Sequence, residues 1–234
     1  MQDIKAISFD CYGTLVNWEA GIRGAFKTLF AGIDIDADED KLLELFAKHE
    51  SELEAQVPII PYFDVLDQVA AGVGKDLGVE LSSAQTQKFA ESIGDWPLFD
   101  DVLPTLEQLH GKYELAILSN VDRRCFSVTV DKFQGMIDIA CIAEESGAYK
   151  PSPQAFEALL TILKEKDIDK SQLLHVAQSL YHDHEPAAKL GITSCWMDRR
   201  ADQEGWGAVP PPEGSVQPPH RIASLTDLVT LLNG

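Results

Sequence analysis

The chain has 234 residues, 45% of them hydrophobic, and a formal net charge of −19. That length supports one large or two modest domains with a sizeable core. The acidic balance excludes a general affinity for nucleic acid or an anionic membrane, while leaving room for a locally positive site.

In chain order, "IKAISF" (4–9) predicts a buried strand that runs directly into Asp10, with Gly13 three positions on. A carboxylate at the end of a buried strand is costly unless it has partners or a task. From Val16 to Trp96 the periodicity is mainly helical, as in "EAGIRGAFKTLFAG" and "DEDKLLELFAKHESELEAQ". A helix is expected over 102–112, a strand over 113–119 ("YELAILS"), a helix over 124–133 and a strand over 136–142 ("MIDIACI"). A helix over 153–166 follows, with Ser152 as N-cap and Pro153 at its first position. Then come a strand at "LLHVAQ" (173–178), a helix over 183–191 and a strand at "ITSCWM" (192–197). "VPPPEGSVQPP" (209–219) predicts an exposed extended loop. "IASLTDLVTLLNG" (222–234) predicts a helix capped by Ser224 and Asp227.

Strand–helix alternation with continuously apolar strands implies a parallel sheet covered on both faces. The all-helical interval reads as an insertion after the first strand. The expected organisation is a Rossmann-like α/β core over 1–15 and 98–234, with a helical cap over 16–97. The four cysteines are far apart and lack CxxC spacing, which argues against zinc or a disulfide scaffold and for buried thiols in a reducing compartment. The N-terminus has no basic-then-apolar leader pattern and no apolar run reaches membrane-spanning length. A soluble, cytoplasmic protein is expected.

Open parallel sheets bind ligands at the carboxyl ends of their strands. The polar residues there are Asp10, then Ser119 and Asn120, then Lys150, then Gln178 to Asp183. Asp10 is placed to attack an electrophilic carbon or phosphorus and form an ester. Gly13 permits a tight turn whose N–H groups can hold an anion. Thr14 can orient the Asp10 carboxylate, and Lys150 is expected to lower its pKa. Ser119 and Asn120 can bind a charged group of the substrate, and Asp183 can hold Lys150 or activate water. In "HDH" (182–184) the two histidines do not share a helix face, which weighs against a metal pair. Arg199 and Arg200 read as a solvated surface pair rather than a substrate clamp. Trp18, Tyr62, Phe63 and Trp96 can line a water-excluding pocket but read first as core residues, and Trp18, with Lys48 and His49, counts as a candidate contributor from the cap.

"FDCYGTL", "LSN", "YKPSP" and "HVAQSLYHD" together resemble the four ordered motifs of the haloacid dehalogenase superfamily. The resemblance implies a nucleophile at Asp10, a Ser-Asn pair at Ser119 and Asn120, a lysine at Lys150 and a late acid at Asp183. Cys11, Tyr12, Thr14 and Gln178 then count among the residues facing substrate. Magnesium-dependent phosphatases of the superfamily carry acids where this chain has Tyr12 and Gln178. The departure disfavours magnesium, which needs hard oxygen ligands, so no cofactor is expected. "FDCYGTL" is closer to the metal-independent 2-haloacid dehalogenases, which act on small carboxylic acids. Those enzymes use a cap arginine to hold the halide, whereas this chain has no arginine between Arg23 and Arg123. Lys48 is an imperfect substitute. "FDCYGTLVNWEAGI", "KHES", "SLYHDHEPA" and "RRADQEGWGA" are similar to hydrolases that open the ring of azetidine-2-carboxylate. That leaving group is an amine, for which His49, Tyr12, His182 or His184 can supply or position a proton. The remaining alternatives are a magnesium phosphatase and a non-catalytic binding module. The resemblance also implies a homodimer built through cap helices.

Overall fold

A computed structural model describes residues 3–56, 58–212 and 214–233. Residues 1, 2, 57, 213 and 234, which fall in the expected core, cap and proline-rich loop, lie outside the described residues.

The first strand, β1 (Ala6–Phe9), feeds four successive helices: α1 (Trp18–Leu29), α2 (Glu39–Glu54), α3 (Tyr62–Asp76) and α4 (Ser83–Glu91). The chain then alternates: α5 (Val102–Leu109), β2 (Glu114–Ser119), α6 (Arg123–Ser127), β3 (Ile139–Ile142), α7 (Ala143–Ser146), α8 (Pro153–Glu165), β4 (Leu173–Ala177), α9 (Glu185–Leu190), β5 (Thr193–Met197), β6 (His220–Ile222) and α10 (Leu225–Asn233). The expected helix over 124–133 is broken into α6 and a 3-10 turn at Val130–Phe133. Its β-branched run "SVTV" is poor helix material, and Thr129 is committed to hydrogen bonds. The strand β6 was not anticipated. Three residues paired to one neighbour at a sheet edge leave little periodic signal.

The sheet is parallel, in the order β3-β2-β1-β4-β5-β6. β1 is central and the connection reverses between β1 and β4, so the switch point lies at the ends of those two strands. Alternation assigns the faces. Ile7, Phe9, Leu115, Ile117, Leu174 and Val176 pack in one apolar cluster with residues of α5 and α10. Ala6, Ala116, Leu118 and Leu173 pack in a second with α8 and α9. The first cluster continues into the helical insertion through Trp18, Phe26, Phe46, Phe89 and Trp96. Phe26 lies 4.7 Å from Phe89 between ring centroids and 6.5 Å from Phe46. Each such ring pair adds about 0.5–1.5 kcal/mol beyond area burial.

Local signals fix the helix starts. Asp38 accepts from Lys41 N at α2, Ser82 and Gln85 close a capping box at α4, and Ser152 precedes Pro153 at α8. At the other end of the chain, Ser224 N donates to Asp227 and Asp227 N to Ser224 Oγ. Between β4 and α9 the chain makes a π-turn over Leu180–His184, where His184 N donates to Ser179 O and Glu185 N to Leu180 O. Such widened turns cluster at functional sites. Among the described residues, no helix is long and apolar enough to cross a membrane.

Candidate active site

The turn after β1 shapes the site. Leu15 and Val16 donate to the Cys11 carbonyl, and Gly13 adopts φ +95°, which L side chains rarely take. Asp10 N donates to Val176 O, binding the end of β1 to β4. Thr14 Oγ1 donates to Asp10 Oδ2 at 2.7 Å and accepts from Gln178 N at 3.0 Å. One hydroxyl therefore fixes the Asp10 rotamer and the loop after β4.

Lys150 arrives from the loop before α8. Its Nζ donates to Asp10 Oδ1 and Asp183 Oδ1, each at 2.8 Å, and to Leu118 O at 3.0 Å. All three ammonium donors are thereby satisfied, in a side chain only 2% exposed. Asn120 holds the backbone of this lysine: its Oδ1 accepts from Lys150 N and its Nδ2 donates to Lys150 O.

Asp183 is carried by the π-turn. Its Oδ1 also lies 2.9 Å from His175 Nε2, while His175 Nδ1 lies 2.8 Å from Ser8 Oγ. Ser8 and His175 are fully buried on the α8 face of the sheet, with Phe156 edge-on to the imidazole. Asp183 Oδ2 is buried and has no hydrogen-bond partner within the protein. A charged acceptor left unpaired is costly, so it marks a position for a water or a substrate group.

Charge balance is tight. Burial works to lower the Lys150 pKa, but the two carboxylates outweigh it and hold the ammonium above the ordinary lysine range. Burial pushes Asp183 up, yet Lys150 and His175 hold it well below the carboxylate range. For Asp10 burial wins: its pKa is raised, against Lys150 and with help from the Asp183 charge. The expected lowering of Asp10 is thus corrected. One ammonium shared between two acids does not offset desolvation for both.

A narrow cavity of about 40 Å³ opens over these groups. Asp10, Ser119, Lys150, Gln178 and Asp183 line it from the sheet, Tyr12 from the turn after β1 and Trp18 from the start of α1. Among the described residues Ser119 Oγ has no hydrogen bond and is free to donate to a ligand. The helical insertion supplies Glu50, Glu54 and Tyr62. Tyr62 OH donates to Glu50 Oε1, and Asn120 Nδ2 reaches both Glu54 oxygens at 3.2 Å.

Several expectations drawn from the sequence are corrected. Cys11 is fully buried in the core and does not line the cavity. Lys48 and His49 face the other way, both bonded to Asp76 of α3. They precede Glu50 on α2 and so occupy other faces of the helix. Asn120 is committed to the Lys150 backbone and Glu54. Arg199 is no solvated surface residue: it grips Asp101 with Nη1 at 2.7 Å and Nη2 at 2.9 Å and donates to Thr14 O. Arg200 pairs with Glu19. Tyr12 OH is 2.9 Å from Thr129 Oγ1, and burial raises its pKa well above the usual phenol value. Burial pushes His182 and His184 down to about 4, so both are neutral at physiological pH and neither is a ready acid. His184 is tied to Ser194 and Ala177 O.

Reasoning from sequence missed His175, Glu50 and Glu54. His175 sits inside a strand that otherwise reads as core. "HESELE" reads as a solvated charged face, although its glutamates four apart share one side of a helix.

The chain belongs to the haloacid dehalogenase-like hydrolase family, whose model matches residues 4–191. Solved structures share the fold across the full length. A dehalogenase superposes with a TM-score of 0.83 at 19% identity, covering 100% of this chain and 99% of its own. The L-2-haloacid dehalogenase from Xanthobacter autotrophicus with chloropropionic acid covalently bound gives 0.80 at 18%, with 99% of each chain covered. The HAD-hydrolase YfnB from Bacillus subtilis, bound to magnesium, gives 0.80 at 17%, again covering 99% of each. Dehalogenases and a magnesium-bound hydrolase thus share this fold, so the chemistry must be read from the site. No curated protein matches the chain at a significant level.

Proposed function

We propose that the protein is a metal-independent hydrolase that attacks the substituted carbon of a small 2-substituted carboxylic acid through an Asp10 ester. The observation that carries this reading is the Lys150 ammonium bonded to Asp10 and Asp183 together. It fills with a fixed cation the position between two acids. The donor set does not suit magnesium. Tyr12 and Gln178 offer no carboxylate, and Asp183 Oδ1 is already shared by Lys150 and His175. Among the described residues, no cluster of three or more His, Cys, Asp or Glu side chains forms a metal cage.

In this mechanism Asp10, largely stripped of water, attacks carbon and expels the 2-substituent. Water placed on the orphan Asp183 Oδ2 then attacks the Asp10 carboxyl carbon and releases a 2-hydroxy acid. Ser119 Oγ and the N–H groups after Asp10 can receive the substrate carboxylate. The helical insertion acts as the cap that closes the cavity and excludes water. The 2-substituent is a halide, as in the 2-haloacid dehalogenases, or the ring nitrogen of azetidine-2-carboxylate. No arginine lines the cavity among the described residues. That favours the second, since none of the described residues that the helical insertion brings to the cavity is a cation that could cradle a halide.

The test is a screen of short 2-substituted acids with chelator present, followed by a single turnover in ¹⁸O-water. Product formation with ¹⁸O in the Asp10 carboxyl group is expected, and Asp10→Asn should fold but lose turnover. Activity that requires magnesium, or label confined to product, would overturn the reading.

A further inference from the structure

The helical wall of the cavity is acidic, and the reaction outlined above gives its acids no task. Glu50 and Glu54 lie one turn apart on α2 and face Asp10 and Asp183 across the cavity. Among the described residues the cavity therefore holds four carboxyl groups and one cation, and Lys150 already commits all its donors to Asp10, Asp183 and Leu118 O. Asn120 leans its amide on Glu54 and Tyr62 its hydroxyl on Glu50. Each fixes an acid without neutralising it. Asp183, which also lines the cavity, has its Oδ2 buried and unpartnered. His182 Nε2, 3.6 Å from Glu54, is held neutral by burial and supplies no counter-charge. A halide leaving group would depart toward this acidic wall, against like charge wherever the acids are ionised.

We propose that Glu50 and Glu54 select a substrate whose leaving nitrogen enters as an ammonium ion, pairing with that cation and rejecting substrates that lack it. The proposal rests on the Asp10-ester reading for the reaction but not for binding. The steps balance. Asp10 forms the carbon–oxygen bond, the carbon–nitrogen bond breaks, and its electron pair stays on nitrogen, which leaves as a neutral amine without a separate acid. Water then cleaves the ester. One of its protons stays with the departing alcohol, the other returns to the amine, and Asp10 is again a carboxylate.

Burial holds Glu50 up to about 8 and pushes Glu54 well above its ordinary value. A bound ammonium favours their ionised forms, so binding at neutral pH is expected to expel protons.

The probes are 2-aminobutyrate and butyrate, identical but for the ammonium group. Calorimetric titration at pH 7 in two buffers of different ionisation enthalpy reads affinity and proton release together. We expect 2-aminobutyrate to bind about tenfold or more tightly than butyrate and to release protons. Glu50→Gln and Glu54→Gln should each reduce that preference and the release. Equal or tighter binding of butyrate, which needs no variant to read, or a preference left unchanged in folded Glu50→Gln and Glu54→Gln, would overturn the proposal. Neither result bears on ¹⁸O labelling of Asp10, so the two readings fail separately.

Discussion

Replacing Lys150 by Met keeps the length of the side chain and removes its charge. The substitution leaves Asp10 and Asp183 buried, each having accepted from Nζ at 2.8 Å, with Leu118 O also orphaned. Removing one partner of a buried ion pair costs about 3–5 kcal/mol. At about 2–4 °C per kcal/mol for a chain of this size, the melting temperature should fall by about 6–20 °C at pH 7. The pH dependence has a defined sign. In the wild-type protein Asp183 is held below the carboxylate range, so its stabilisation is full above the unfolded pKa of about 4 and fades as pH falls through the folded value. In the variant the two acids are relieved by protonation. The deficit should therefore be largest near neutral pH and shrink toward pH 4. Urea titrations of both proteins at pH 7 and pH 4.5 measure it, and turnover at pH 7 should be lost because Asp10 takes up a proton. Equal stability at both pH values, or retained turnover, would refute the shared-cation account of the site.

Thr14→Val removes the hydroxyl that joins Asp10 Oδ2 to Gln178 N and leaves both groups unsatisfied. A loss of about 2–4 kcal/mol is expected in urea titration, with a fall in kcat larger than any change in KM. Thr14→Ser should recover most of both. Arg199→Ala should destabilise by about 2–3 kcal/mol, and Arg199→Lys should fail to rescue because an ammonium cannot span both Asp101 oxygens and Thr14 O. Burial opposes ionisation of Asp101, but Arg199 and the Leu225 N–H outweigh it and hold its pKa down. The Arg199→Ala penalty should therefore be present above about pH 4 and lessen below it.

The Rossmann-like sheet was legible because β1, β2 and β4 each carry a mostly apolar run that ends in a polar residue. "ISFD", "LAILSN" and "LLHVAQ" mark β1, β2 and β4 together with their functional ends. Asp10, Lys150 and Asp183 could be set together because a parallel sheet brings all its carboxyl ends to one edge. Which side of α2 faces that edge was not legible. The helix offers Lys48, His49, Glu50 and Glu54 within two turns, and its rotation is decided by packing of Leu42, Leu43 and Phe46 against the neighbouring helices. Sequence favoured the residues with familiar chemistry, and packing presented the glutamates. Arg199 was misread for a related reason. Nothing near it in the chain announces Asp101, nearly a hundred residues earlier.

The π-turn at Leu180–His184 has a consequence for how this acid could be gained or lost. A regular helix advances about 100° per residue, and the widened turn absorbs one residue beyond that rhythm. Deleting a single residue between Ser179 and Asp183 would be expected to tighten the turn and swing Asp183 by about 100° off the ammonium. The oxygen proposed above to hold water would move with it. On the reading proposed above, a change in chain length at this position would remove the hydrolytic step while Asp10 and Lys150 stayed in place.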